Sequence, residues 1–327
     1  MALSPHDIPK IYGDVPPFMA VPYAPDLSKV KADAVIVGMP YDGIATYRGG
    51  ATRRAPQEIR KYSLLFGDYN LDWDLDVFAH IKAVDVGDID VAPGQTAESY
   101  ARLERRVAEI HGTGAVPIMF GGDHGVTYPA VKAVAAHRGG PMGLIVFDTH
   151  MDLSESFRED RLTRASPIKR IVELPQIDPK RVVIIGAKGP RNLPEWTPLA
   201  KELGIRVMGI REVEKRGIEA ATEDAISIAS PDGRPPYVSV DIDAIDPAYA
   251  PATNSIEAGG FTSREIIAGV RLACEQGFTG FDVVEVSPDF DTKSGTTSML
   301  AARLAAEALA CLAAKKAGKV RSWEWRG

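Results

Sequence analysis

Three polar runs, each set directly against an apolar stretch, constrain this chain more than any other feature. Gly121-Gly122-Asp123-His124-Gly125 follows the apolar segment 115–120. Asp148-Thr149-His150-Met151-Asp152 follows 143–147, and Asp241-Ile242-Asp243 follows 237–240. Short apolar runs of this length read as buried strands. A carboxylate that faces hydrocarbon must neutralise, pair or be compensated. If the strand direction continues past its end, Asp148, His150 and Asp152 project from one side, and Asp241 and Asp243 repeat the arrangement. Carboxylates aimed at one point repel each other, and divalent cations are the simplest remedy.

The rest of the chain alternates in the same way. Apolar segments at 32–37, 81–86, 115–120, 143–147, 181–185, 205–208, 237–240 and 281–286 read as strands. Between them, helical patterns begin at Pro56 and cover 97–110, 128–137, 168–173, 212–229 and 297–316. Thr262-Ser263-Arg264-Glu265 has the spacing of a capping box before a helix through Cys274. No repeat or low-complexity linker interrupts the pattern. It predicts one α/β domain over 32–316, with helices on a mostly parallel sheet. The polar runs fall beyond the carboxyl ends of strands, where open parallel sheets place their sites. Residues 1–31, rich in proline, read as an irregular surface arm, and 65–80 and 190–197 as irregular loops. Residues 317–327 read as a tail whose Trp323 and Trp325 pack on another surface or a neighbouring subunit.

A chain of 327 residues, 45% of them hydrophobic, can build a substantial core. Its formal charge of −6 gives no general reason to bind nucleic acid or an anionic membrane. No run approaches the length of about 18 apolar residues needed to span a bilayer. The amino terminus lacks a basic segment followed by a long apolar one, so a cytoplasmic protein is expected. Cys274 and Cys311 lie in helical patterns and read as buried thiols in a reducing compartment.

His124, Asp148, His150, Asp152, Asp241 and Asp243 are six candidate ligands. They suffice for two metal ions roughly 3.5 Å apart with shared carboxylates. Mixed oxygen and nitrogen donors suit Mn²⁺ first, without excluding Fe²⁺, Co²⁺, Ni²⁺ or Zn²⁺. A water shared by two such ions would be acidified toward neutrality and become a nucleophile for an electrophilic carbon. Glu285, at the end of the last strand, could pair bidentately with a guanidinium. Ordinary loop and cap roles explain His6, His80, His111 and His137 but not two strand-end carboxylate pairs.

At these residues the sequence resembles the ureohydrolase family of arginases, agmatinases and related guanidino-compound hydrolases. The resemblance covers roughly 32–316. It rests on GGDHG at 121–125, DTHMD at 148–152, SVDIDAIDPAYAP at 239–251, VEVSP at 284–288 and, more weakly, YRGGATRRAPQEIR at 47–60. It implies a three-layer α/β/α sandwich of the arginase type and a binuclear manganese centre, with nickel as the alternative. It also implies a homo-oligomer, trimeric or hexameric. By position, His124 and Asp152 would complete one metal site, His150 and Asp243 the other, with Asp148 and Asp241 bridging. The implied chemistry is attack of a metal-bridging hydroxide on the guanidinium carbon of a linear substrate, releasing urea or a substituted urea and an amine. Asp152, Glu285 and His150 are the catalytic candidates. Asp152 would pass a proton to the leaving amine, and Glu285 would hold the guanidinium nitrogens.

Two stretches depart from the agmatinase-like pattern. Where that branch carries HGTPFRR, this chain has Arg164-Ala165-Ser166-Pro167-Ile168-Lys169-Arg170. An arginine cannot exchange protons near neutrality. Turned inward, it would disfavour the ammonium of agmatine or hold a carboxylate; turned outward, it would leave a small pocket. Where the branch shows PGTGTPE, this chain has Pro251-Ala252-Thr253-Asn254-Ser255-Ile256-Glu257, placing Asn254 and Ser255 beside the substrate. Residues 188–196 add an unusual proline-containing segment at the entrance. Agmatine-type substrates are the family default. Guanidino acids, guanidine, and alkylguanidines or biguanides are alternatives, and some such enzymes pair two unlike subunits. A non-catalytic or regulatory subunit of such a heteromer is a further reading. Hydrolysis of a non-guanidine amide is disfavoured by Glu285.

Overall fold

All eight apolar segments become strands of one sheet. The computed structural model describes residues 16–43 and 52–319. In chain order the strands are β1 (Ala34–Gly38), β2 (Tyr69–Asn70), β3 (Leu75–Asp76), β4 (Ala83–Asp88), β5 (Val116–Phe120), β6 (Met142–Phe147), β7 (Ile177–Ala187), β8 (Arg206–Gly209), β9 (Tyr237–Asp241) and β10 (Gly280–Val284). The helices are α1 (Ala55–Ser63), α2 (Val77–His80), α3 (Thr96–Gly112), α4 (Thr127–Ala136), α5 (Pro167–Ile171), α6 (Trp196–Leu203), α7 (Ile210–Arg216), α8 (Ile218–Ala229), α9 (Ser263–Glu275) and α10 (Thr296–Lys316). The large sheet runs β4-β1-β5-β10-β9-β6-β7-β8, and its pairings are parallel.

Side-chain alternation along each strand builds two apolar layers. Along β6, Ile145 and Phe147 pack with residues of α8, α9 and α10, whereas Leu144 and Val146 pack with residues of α3, α4 and α5. The result is a three-layer α/β/α sandwich. The central strands are buried on both faces, which is why their sequences are continuously apolar. The Thr262 capping box forms as expected. Glu265 N–H donates to Thr262 Oγ1 at 3.2 Å and Thr262 N–H to Glu265 Oε2 at 2.8 Å, which stabilises the start of α9 by about 1 kcal/mol.

Several local expectations are corrected. The segment 65–80 is not irregular: β2 and β3 pair antiparallel, and Asp76 caps α2 by accepting from Ala79 N–H. The pattern over 212–229 divides into α7 and α8 at Gly217, whose φ of 84° suits glycine and ends the first helix. The stretch 190–197 runs into α6, whose Pro198 sits in the first turn, where its missing donor costs little. Nor does the arm 1–31 lie wholly on the surface. Phe18 is fully buried, its ring 4.9 Å from Phe120, and its N–H donates to Asp85 Oδ2 at 2.9 Å.

Helix α10 is long and apolar enough to cross a membrane, contrary to the expectation from run length. Its most apolar 18-residue window is 78% buried inside the fold, as befits a helix apolar on all sides within a core. Cys274 and Cys311 are buried free thiols. His6, Trp323 and Trp325, and residues 47–51 of the amino-terminal signature, lie outside the described residues.

Candidate metal centre

Four strands adjacent at the centre of the sheet, β5, β10, β9 and β6, carry the polar runs at their carboxyl ends. After β5 the chain turns closely over Tyr41. A Cβ on Gly122 would lie 1.6 Å from the Tyr41 carbonyl oxygen, so only glycine fits. Asp123 then accepts from Gly43 N–H at 2.7 Å and Gly125 N–H at 3.0 Å, fixing the short turn that points His124 inward. In the other two runs one carboxylate oxygen is tied down locally. Asp148 Oδ1 accepts from His150 N–H at 2.6 Å, and Asp241 Oδ1 from Asp243 N–H at 2.8 Å. The second oxygen of each is thereby aimed at the cluster.

There the donors converge. His124 Nδ1 lies 3.0 Å from Asp148 Oδ2, 2.9 Å from Asp152 Oδ2 and 3.3 Å from Asp241 Oδ2. His150 Nδ1 lies 3.2 Å from Asp243 Oδ2 and 3.6 Å from Asp148 Oδ1. Two buried groups, His124 with Asp148 and Asp241, and Asp148 with His150 and Asp243, each place their ligand atoms within 4.8 Å of one another. Asp148 is common to both, as expected of a bridging ligand. Asp241, also expected to bridge, belongs to the first group alone, and Asp152 approaches through His124 rather than as a member of either.

Support behind His124 was not anticipated. Its Nε2 lies 3.4 Å from Ser239 Oγ; that hydroxyl donates to Asp282 Oδ1 at 2.6 Å, and Tyr237 OH donates to Asp282 Oδ2 at 2.8 Å. Because the Ser239 proton is committed to Asp282, its oxygen is free to accept from Nε2–H. That contact orients the ring so that Nδ1 faces the carboxylates. Asp282 in the middle of an apolar strand was the available sequence signal.

The cluster calls for positive charge. Burial works against protonating His124, but Asp148, Asp152 and Asp241 outweigh it and hold the imidazole pKa well above its ordinary value. His150 is pushed up to about 12: burial opposes the shift, and Asp243 and Asp148 overcome it. Burial, then the charge on Asp148, pushes Asp152 up to about 6; burial and the charges on Asp243 and Asp148 push Asp241 well above the carboxylate range. His124 Nδ1, Asp148 Oδ2 and Asp243 Oδ2 are buried without a hydrogen bond. Imidazole and carboxylate donors that gather protons and leave atoms unbonded fit two divalent cations.

Asp152 (φ 49°) and Glu285 (φ 65°) hold left-handed backbone conformations that cost a non-glycine residue roughly 1–3 kcal/mol. Both line a cavity of about 440 Å³ with His150, Asp241, Asp243 and, further out, Phe157, Arg164, Arg191, Trp196 and Ser255. Ser255 is thus one of the lining residues. Asn254 is fully buried and is not among the lining residues. The orientation left open for Arg164 resolves inward. Its Nε donates to Glu285 Oε1 at 3.0 Å, its terminal nitrogen pairs with Glu285 Oε2, and Glu285 Oε1 also accepts from His124 N–H at 2.8 Å. Arg191 and Trp196 belong to the segment 188–196 expected at the entrance, whereas Phe157 carried no sequence signal that tied it to the site.

Comparison with known proteins agrees with this geometry. The arginase family model matches residues 32–311. Guanidinopropionase of Pseudomonas aeruginosa is 35% identical over 314 residues, covering 96% of this chain and 96% of its own. Proclavaminate amidinohydrolase of Streptomyces clavuligerus is 36% identical over 298 residues, covering 91% and 93%. The solved structure of the Streptomyces enzyme superposes with a TM-score of 0.85 over 92% of this chain and 98% of that one, at 35% identity. A hypothetical agmatinase from Burkholderia thailandensis gives 0.83 at 33% identity over 94% and 93%. With two ligand groups sharing Asp148 at the head of an arginase-type sheet, the chain belongs to the arginase (ureohydrolase) family, in its agmatinase-like branch, and is a binuclear metal-dependent amidinohydrolase.

Proposed function

We propose that the protein hydrolyses a linear guanidino compound, releasing urea or a substituted urea and an amine. One observation carries the reading. On the wall of the cavity lined by members of both ligand groups, the Glu285 carboxylate is already paired through both oxygens with a guanidinium, that of Arg164. A carboxylate so placed is a guanidinium receptor beside a metal centre. The names of the relatives support the same substrate group, since they include a guanidinopropionase, a guanidinobutyrase and agmatinases.

His124, Asp148, His150, Asp152, Asp241 and Asp243 would hold two divalent cations, a donor set that suits Mn²⁺ and does not exclude Ni²⁺. When bound, such a pair supplies a water acidified enough to act as a nucleophile near neutrality. Glu285 would orient the guanidinium so that its carbon faces that water, and its negative charge would stabilise the cation as it distorts. Asp152, in the cavity wall, would carry a proton to the departing nitrogen. His150 would flank the carbon under attack, and Ser255 would offer a hydroxyl to the bound substrate. A cytoplasmic homo-oligomer, trimeric or hexameric, completes the proposal.

The test is urea release from agmatine, arginine, guanidinopropionate, guanidinobutyrate, guanidine and dimethylguanidine, with Mn²⁺ and Ni²⁺ supplied separately. Turnover of at least one member is expected; none, with two ions bound per chain, removes the reading. The Arg164–Glu285 contact also favours a second reading, in which the chain is the regulatory partner of an active homologous subunit. Full activity of the isolated chain rules that out.

A further inference from the structure

Glu285 is fully engaged before any substrate arrives. Oε1 accepts from His124 N–H and Arg164 Nε–H, and Oε2 is ion-paired with the terminal nitrogen of Arg164. A second guanidinium cannot take both oxygens while Arg164 keeps them. The Arg164 backbone is pinned, because Ser154 N–H donates to the Ala165 carbonyl at 2.9 Å and Ser166 N–H to the Thr163 carbonyl at 3.1 Å. Only the side chain can yield. Arg164 stays charged at any pH near neutrality, and it is buried in the cavity wall. Once displaced it needs another anion. The cavity's other carboxylates, Asp152, Asp241 and Asp243, belong to the metal cluster; buried Asp123, whose charge Arg164 already feels, is committed to the Gly43 and Gly125 N–H groups, and Glu155 already faces Arg161, Lys169 and Arg170. Arg191 adds a further positive group to the same wall.

We propose that Arg164 is the specificity residue of this site, releasing Glu285 only to a guanidinium that brings a carboxylate for Arg164 to hold in exchange. The substrate class is then a short-chain guanidino carboxylate. Such a molecule replaces one ion pair by two. Agmatine only replaces one by one, takes from Arg164 the carboxylate it held and sets its own ammonium beside two arginines. The inference rests on the hydrolase reading above and narrows it.

The test compares 4-guanidinobutyrate with agmatine, which have similar lengths and opposite tail charges, on the metal-loaded enzyme. Wild type should favour the acid in kcat/KM by about 100-fold. Arg164→Ala should shrink the preference below about tenfold, raising KM for the acid while raising kcat/KM for agmatine as Glu285 is freed. Added propionate should activate wild-type hydrolysis of agmatine by supplying the missing anion, and compete with guanidinobutyrate. It should activate nothing in the variant. The propionate arm needs no mutant, so it decides the matter even if the variant does not fold. Equal effects of Arg164→Ala on both substrates, an unchanged preference, or no propionate activation of the wild type would overturn the proposal.

If the loaded enzyme hydrolyses neither compound, the full panel decides the hydrolase reading and calorimetric binding tests the exchange by itself. Tighter binding of guanidinobutyrate than of agmatine, lost in Arg164→Ala, supports it; equal affinities overturn it.

Discussion

Among the described residues, two buried arginine–carboxylate forks look alike and differ in what surrounds them. Arg60, on α1, reaches β4: Nε donates to Asp85 Oδ2 at 2.7 Å and the terminal nitrogen to Asp85 Oδ1 at 3.0 Å. Asp88 and the Gly87 carbonyl take its remaining donors, and Asp85 also accepts from the Phe18 and Gly87 N–H groups. Every group is answered, and the pair clamps a helix and the amino-terminal segment to an outer strand. Arg164 and Glu285 make the same fork with one side open to the cavity, on a carboxylate held in a left-handed backbone conformation. An enclosed fork is structure, whereas an open one can exchange partners. The distinction lies in accessibility rather than in the strength of the pair.

The contrast can be broken in order of expected effect. Arg60→Met should leave Asp85 buried and uncompensated, lowering stability by about 3–5 kcal/mol in chemical denaturation while turnover per folded molecule changes less than about twofold. A small loss would mean that Asp85 is relieved by other groups. Glu285→Gln should shift the balance the other way, cutting kcat/KM by about 10³-fold with a smaller stability loss than Arg60→Met, because the amide oxygen can still accept from Arg164. Equal damage to folding and to turnover would place Glu285 with Asp85.

A smaller effect is expected behind the metal ligands. Ser239→Ala should weaken metal binding about 10–100-fold by releasing the His124 tautomer, with a competitive chelator as the readout. Unchanged affinity would make the serine a bystander.

The proton balance sharpens the picture last. In the metal-free protein His150 is raised to about 12, so its contribution to stability is complete below the unfolded value of about 6.5 and is lost as pH rises through about 12. Asp152, raised to about 6, contributes below the unfolded carboxylate value of about 3.9 and loses that contribution as pH rises through about 6. Metal must displace protons from such a cluster, so affinity should rise with pH. Mn²⁺ binding at pH 7 should release at least about one proton per chain, measured from binding heats in buffers of different ionisation enthalpy. No release would contradict the charge account of the cluster.

Much of this was legible in the sequence because the strongest signals are local. Buried parallel strands are continuously apolar, so the eight strands of the large sheet stood out, and Asp148, His150, Asp241 and Asp243 were conspicuous at strand ends. Errors arose where tertiary context overrides local pattern. Gly217 does not break the apolar period on either side, so α7 and α8 read as one helix; Pro198 hid α6, although the first turn tolerates proline. The burial of Phe18 depends on a ring from β5 and a carboxylate from β4. Within the site, the fork between Arg164 and Glu285 joins residues 121 apart, and the side of the cavity an arginine faces is set by a loop path that no period records. Ligands at strand ends could be read residue by residue, whereas the substrate wall required coordinates.

Metal content per chain, measured by emission spectroscopy on protein equilibrated with Mn²⁺ and freed of excess ion, tests the central claim most directly. Two ions per chain in the wild type, falling in Asp148→Ala, which removes the ligand common to both groups, is the expected result. One ion or none in the wild type, or two retained without Asp148, would contradict it.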